Sequence, residues 1–276
     1  MISVVFYILE LKPIELICKY YLLIIFYCDI MLMLKRFKAC RKEGDKMSTE
    51  YVYKSTKKIE EILNAITHGV GTLLAVIGLV AMLYYGYDKG ILHLTSIIVY
   101  GVSMILLYLA STLYHSFSFC SQKVQSVFKC IDHSAIYLLI AGNYTPFALI
   151  ALYGTLGWAV FGVVWGLALA GIVFQIFFYN RFRVIGTICY LVMGWLAVTI
   201  VNPLLDTLSV EAIWWLVAGG VLYSIGAIFY LIRKIPYNHV IWHVFVILGS
   251  AAHFITIYCY VLPLSICLLY TSDAAD

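Results

Sequence analysis

The chain has 276 residues, of which 64% are hydrophobic and 12% charged, and carries a net charge of +4. Its mean hydropathy of +0.97 excludes an ordinary water-soluble domain. The apolar runs match the roughly 20 residues that carry a helix across a ~30 Å hydrocarbon core, not the ~10-residue alternating strands of a barrel, so the expected fold is all-α, a polytopic membrane protein. The basic excess then reports orientation, and no nucleic-acid partner is implied.

In chain order, residues 1–34 are apolar but interrupted by Glu10, Lys12, Glu15, Lys19 and Asp29, with neither an uninterrupted span nor a small-residue cleavage site. Met47 begins a more ordinary lead. Residues 1–46 are therefore read as an upstream translation extension, the rival reading being a peripheral or anchoring helix. Residues 47–61 form a basic cytoplasmic lead, and residues 62–266 the membrane domain. The last ten residues, 267–276, resemble the translation of a sequencing-library adaptor and are read as an artefactual tail.

Seven apolar runs follow from residue 59: about 62–86, 91–116, 131–152, 156–179, 184–201, 211–232 and 237–263. The connections are short, Asp88-Lys89-Gly90 and Arg233-Lys234-Ile235-Pro236 among them, which predicts one seven-transmembrane-helix bundle of antiparallel neighbours. The eight cysteines show no paired spacing, and Cys120 and Cys130 are expected in a cytoplasmic loop, so no disulfide framework is implied. Basic residues precede the first run and fill alternate connections (Lys123 and Lys129, Arg181 and Arg183, Arg233 and Lys234), against Lys89 alone on the other side. The positive-inside rule then predicts a cytoplasmic amino terminus and an outside carboxyl terminus.

This orientation gathers the unusual polar residues in one leaflet. Glu61, Asn64 and His68 open the first run, with spacing E-x2-N-x3-H. Ser111 and His115 close the second, Asp132 and His133 open the third, and His239 and His243 open the seventh. Side chains at i and i+4 share one helix face, so His239 and His243 have metal-ligand spacing, and Ser111 faces the same way as His115. Ionisable groups at membrane depth are costly and point to function. His253 lies deeper, as a partner of the site or a buried polar group. His93, at the other end, reads as an interfacial histidine.

His115, His239 and His243 together offer three neutral nitrogens from two helices, the donor pattern of a zinc site with one position open, although iron, copper or nickel also suit it. Asp132 is read as a general base, as a group orienting a histidine, or simply as the cap of the third helix. Ser111 is read either as part of the site or as a helix hydroxyl bonded to its own backbone. Glu61, Asn64 and His68 are either supports of the site or a polar helix start.

These motifs, Glu61-x2-Asn64-x3-His68, Ser111-x3-His115 followed by Asp132, and His239-x3-His243, resemble in order and spacing the signatures of the hemolysin III group within the progestin and adipoQ receptor family. Gly142-Asn143-Tyr144-Thr145-Pro146-Phe147 strengthens the likeness, which covers roughly residues 55–263. The resemblance implies zinc on His115, His239 and His243, with Asp132 reaching it through water and Ser111 near the reacting centre. It further implies a ceramidase-like hydrolysis of lipid amides or esters, membrane lipids as partners, and a bacterial cytoplasmic membrane. The alternatives it carries are a pore-forming cytolysin and a metal-binding sensor of lipid state without turnover.

Overall fold

A computed structural model of the protein describes residues 49–178, 183–232 and 234–265. The expectations for residues 1–46 and 267–276 lie outside the described residues. In hydrocarbon no water is present to bond the backbone, so an apolar run of this length satisfies its N–H and C=O groups within itself, as a helix. Among the described residues, seven helices are long and apolar enough to cross a membrane: Thr56–Gly86, Ile91–Ser116, Gln122–Ala151, Thr155–Phe178, Val184–Thr207, Val210–Leu231 and Asn238–Val261. They are called the first to seventh spans. No strand occurs among the described residues, and the protein is an all-helical integral membrane protein.

Three spans depart from the boundaries expected from hydropathy, the first by beginning at Thr56 and not near residue 62. The third begins at Gln122 and not near residue 131, so Cys130 lies on a helix and only residues 117–121 connect it to the second. Asp132 is therefore well inside the helix, which rules out its reading as an amino-terminal cap. The cause is that residues 122–130 are too polar to register as a span and yet continue the same helix. The fifth span runs on past residue 201 through a tight turn of 3-10 helix, Leu196–Ile200, and a further helix, Val201–Thr207. Pro203 lies in that helix's first turn, where a missing N–H costs no bond.

Burial ranks the spans. The third, seventh and second are 67%, 56% and 50% enclosed across their apolar windows, against 17% for the fourth, which makes the first three the centre and the fourth a lipid-facing helix. The second and third approach closely because Gly142 lies against Ser103; a Cβ at Gly142 would stand 2.1 Å from the Ser103 Oγ. Small residues at such crossings let helices pack without a hydrophobic drive. The third span ends in a widened turn, Phe147–Ala151, directly after Pro146, where the Leu152 N–H reaches back to the Phe147 carbonyl at 2.8 Å. Pro146 brings no N–H of its own, and the wide turn restores bonding beyond it.

The seventh span is tied at both ends. At its start, the Asn238 Nδ2 donates to the carbonyls of Phe229 and Tyr230 at 3.2 and 3.4 Å, holding it to the end of the sixth. Beyond its far end, Lys89 Nζ donates to the Leu262 carbonyl and His93 Nε2 to the Leu264 carbonyl, each at 3.0 Å. His93 is thus a capping group only 1% exposed. Unpaired carbonyls beyond a helix end draw such a buried donor.

Candidate metal centre

Packing brings the ends of four spans together. The second span ends on Ser111 and His115, the seventh begins on His239 and His243, the first supplies Glu61, Asn64, Thr67 and His68, and the third supplies Asp132. His115, His239 and His243 each offer a ligand atom, and all lie within 4.8 Å of one another. A single ion at ~2.0–2.1 Å from each nitrogen is within reach of small ring adjustments. The three rings also meet edge-on, with centroids 4.7 to 5.0 Å apart.

Two of the three histidines, His115 and His243, are oriented by what the Nδ1 nitrogen touches. His115 Nδ1 lies 2.7 Å from Glu61 Oε2, so the N–H donates to the carboxylate and Nε2 keeps its lone pair. That Nε2 is buried and has no partner. The Asn64 Nδ2 also approaches His115 Nδ1, at 3.5 Å, but two donors cannot bond each other, so the carboxylate is the true partner. His243 Nδ1 lies 3.2 Å from Thr67 Oγ1. A carboxylate behind a histidine is the usual support of a metal ligand. An orphaned buried nitrogen is costly, and an ion would satisfy it. The residues present therefore fit a cation.

His68 stacks on His243, with ring centroids 3.5 Å apart and planes inclined by 11°. Neither of its ring nitrogens makes a hydrogen bond, and it lies outside the three-residue cluster. Asn64 is 1% exposed, and its Oδ1 has no partner. Glu61 thus joins the site directly, while Asn64 and His68 form the wall behind it.

Ser111, Asp132, His239 and His243 all line one cavity of about 180 Å³ between the second, third, fifth, sixth and seventh spans. That exceeds the ~10–15 Å³ a single water needs by an order of magnitude, so it can admit a chain and not only isolated waters. Leu139, Ile140, Leu204 and Leu216 line its apolar part. Asp132 is 8% exposed, and its Oδ2 lies 3.5 Å from His133 Nδ1. His133 itself turns away from the cluster, bonding the Lys129 carbonyl at 2.9 Å and the Tyr230 hydroxyl at 3.2 Å.

His253 also lines the cavity but does not join the cluster. Its Nδ1 meets the Asn143 Nδ2, and its Nε2 donates to the Leu216 carbonyl at 3.1 Å. Of the two readings offered for it, the buried polar group describes its contacts. Thr67 carried no signal in the sequence, because a helix threonine is ordinarily satisfied by its own backbone.

Fold and site together define an integral membrane protein with seven spans among the described residues and, at one end, a three-histidine cluster in which His115 and His243 are buried and His239 half-buried. The family model described as Haemolysin-III related matches residues 56–254, and the chain belongs to that family. It is 49% identical over 217 residues to Hemolysin-3 of Bacillus cereus, across 78% of this chain and 98% of the relative. Hemolysin-3 homolog of Bacillus subtilis (strain 168) is 51% identical over 207 residues, across 74% and 96%. Monocyte to macrophage differentiation factor of Homo sapiens is more distant, 28% identical over 154 residues, across 54% and 63%.

Proposed function

We propose that this chain is a zinc-dependent membrane hydrolase that cleaves a lipid amide or ester. The observation that carries the reading is the shared opening of His239, His243, Asp132 and Ser111 onto one largely apolar cavity. Three histidine nitrogens leave a fourth position free, the arrangement of catalytic and not of closed structural zinc, and cysteine is absent from the donor set. An ion held there would supply a Lewis acid that activates a water and polarises a carbonyl.

The chain's own residues would do the rest. The Asp132 carboxylate accepts the proton of the attacking water and later returns it to the leaving amine or alcohol. The Ser111 hydroxyl donates to the substrate carbonyl oxygen, where negative charge develops. Leu139, Leu204 and Leu216 hold the acyl chain and keep bulk water out, so that these polar interactions act in a low dielectric. The basic residues Lys123 and Lys129, in the first turns of the third span, and Lys234, before the seventh, lie at the histidine end. They support a site in the cytoplasmic leaflet with the amino terminus inside. The two Bacillus relatives support a bacterial cytoplasmic membrane.

Elemental analysis of detergent-purified protein tests the metal. Near-stoichiometric zinc in the wild type, absent from the His239→Ala, His243→Ala double variant, is the expected result, followed by hydrolysis of ceramides, other lipid amides or esters. No transition metal in folded, unstripped protein would overturn the reading.

The name of the Bacillus relatives, Hemolysin-3, favours a second reading, a cytolysin in which the ion only holds the bundle. Dye release from lipid vesicles separates the two, because lysis that survives loss of Asp132 would point away from turnover. A metal-binding sensor predicts neither release nor hydrolysis.

A further inference from the structure

Which nitrogen of an imidazole faces an ion depends on what holds the other. For His115 the holder is the Glu61 carboxylate, as described. For His243 it is Thr67, a side chain 6% exposed on the first span. The Thr67 Oγ1 has two neighbours, the Asn64 carbonyl oxygen at 3.0 Å and His243 Nδ1 at 3.2 Å. A carbonyl oxygen only accepts, so the single hydroxyl proton belongs to the bond with Asn64. The hydroxyl oxygen then has only lone pairs left for the histidine, and the proton of that contact must sit on Nδ1. His243 is thereby set as the Nδ1–H tautomer, with the Nε2 lone pair free.

We infer that Thr67 is a positioning residue of the metal centre, fixing the tautomer and ring direction of His243 so that Nε2 is its ligand atom. A bond from a helix threonine to its own preceding turn is ordinary. The second contact is not ordinary: it crosses 176 positions of sequence to another span and ends on a residue of the three-histidine cluster. Thr67 and Glu61 stand two turns apart on the first span and back two different histidines, one through a neutral hydroxyl and one through a charge. The first span therefore contributes no ligand to the cluster and orients two. The inference rests on the proposed metal centre and deepens it.

Zinc affinity of the purified full chain, read by competition with a chelator of known affinity, tests it. Thr67→Val keeps the shape and removes the acceptor, and is expected to weaken zinc by ~10–100-fold, the usual effect of losing a group that orients a metal ligand. Thr67→Ser restores the hydroxyl and is expected to bind close to wild type. Thr67→Val as tight as wild type, or Thr67→Ser as weak as Thr67→Val, overturns the role and leaves the metal centre standing. Wild type that binds no zinc overturns both. The tautomer is read independently of any folding defect, by NMR of isotope-labelled histidine in metal-free wild type, the signal of His243 being identified by its loss in His243→Ala. The Nδ1–H form is expected, and the Nε2–H form overturns the inference.

Discussion

Asp132 shows what one residue can disclose and conceal. Its type and its place beside histidines marked it for chemistry, yet the polar stretch before it made it look like a helix cap. The helix beginning at Gln122 removes that reading and leaves a carboxylate 8% exposed on the cavity wall. If the proposed hydrolase reading holds, Asp132→Asn is expected to retain an ion bound by the histidines while lowering turnover by ~100-fold or more, the typical contribution of a general base. Parallel metal analysis and lipid-amide assays check this; loss of both together would make Asp132 a support of the ion instead. The three histidines were legible because i and i+4 spacing is a rule of helix geometry. Thr67 was not legible, because its importance lies in a partner on a distant span and no local pattern announces a long-range bond.

At the scale of the helix, periodicity and hydropathy located all seven spans but misplaced ends wherever polarity and helicity part company, as over residues 122–130. The interior contacts were less visible. Nothing in the run Ala141-Gly142-Asn143 states which helix lies against it, whereas the structure puts Ser103 where a Cβ of residue 142 would be. The Ser103 hydroxyl is itself bonded to the Tyr100 carbonyl at 2.8 Å, so it does not yield freely. Gly142→Ala is expected to destabilise the bundle by ~1–3 kcal/mol through overpacking. Gly162 is the control: no atom within 4 Å meets an added Cβ there, so Gly162→Ala should be neutral or gain up to about 1 kcal/mol of helix propensity. Thermal unfolding in detergent ranks the two, and equal behaviour would contradict the close approach of the second and third spans.

For the whole molecule, the second, fourth and sixth spans end, and the third, fifth and seventh begin, at the histidine end. Charge asymmetry predicts that this end faces the cytoplasm. Cys120 is exposed in the connection from the second span to the third, and Asp88 lies in a connection at the opposite end. In a background with the other cysteines changed to serine, a membrane-impermeant maleimide applied to intact cells is expected to spare Cys120 and to label a cysteine at position 88, introduced as Asp88→Cys. The reverse pattern would invert the bundle and move the site to the outer leaflet.

The ties on the seventh span carry a mechanical meaning. Lys89 and His93 grip the carbonyls beyond its far end at 3.0 Å, while an ion on His239 and His243 would grip its beginning. With the ion present the helix is a beam clamped at both ends. Without it, the far clamp and the Asn238 bonds to the sixth span remain, and what is lost is the grip that would join the turn of the two histidines to the second span. Chelation would then loosen the protein at the histidine turn and hardly at all at the opposite surface.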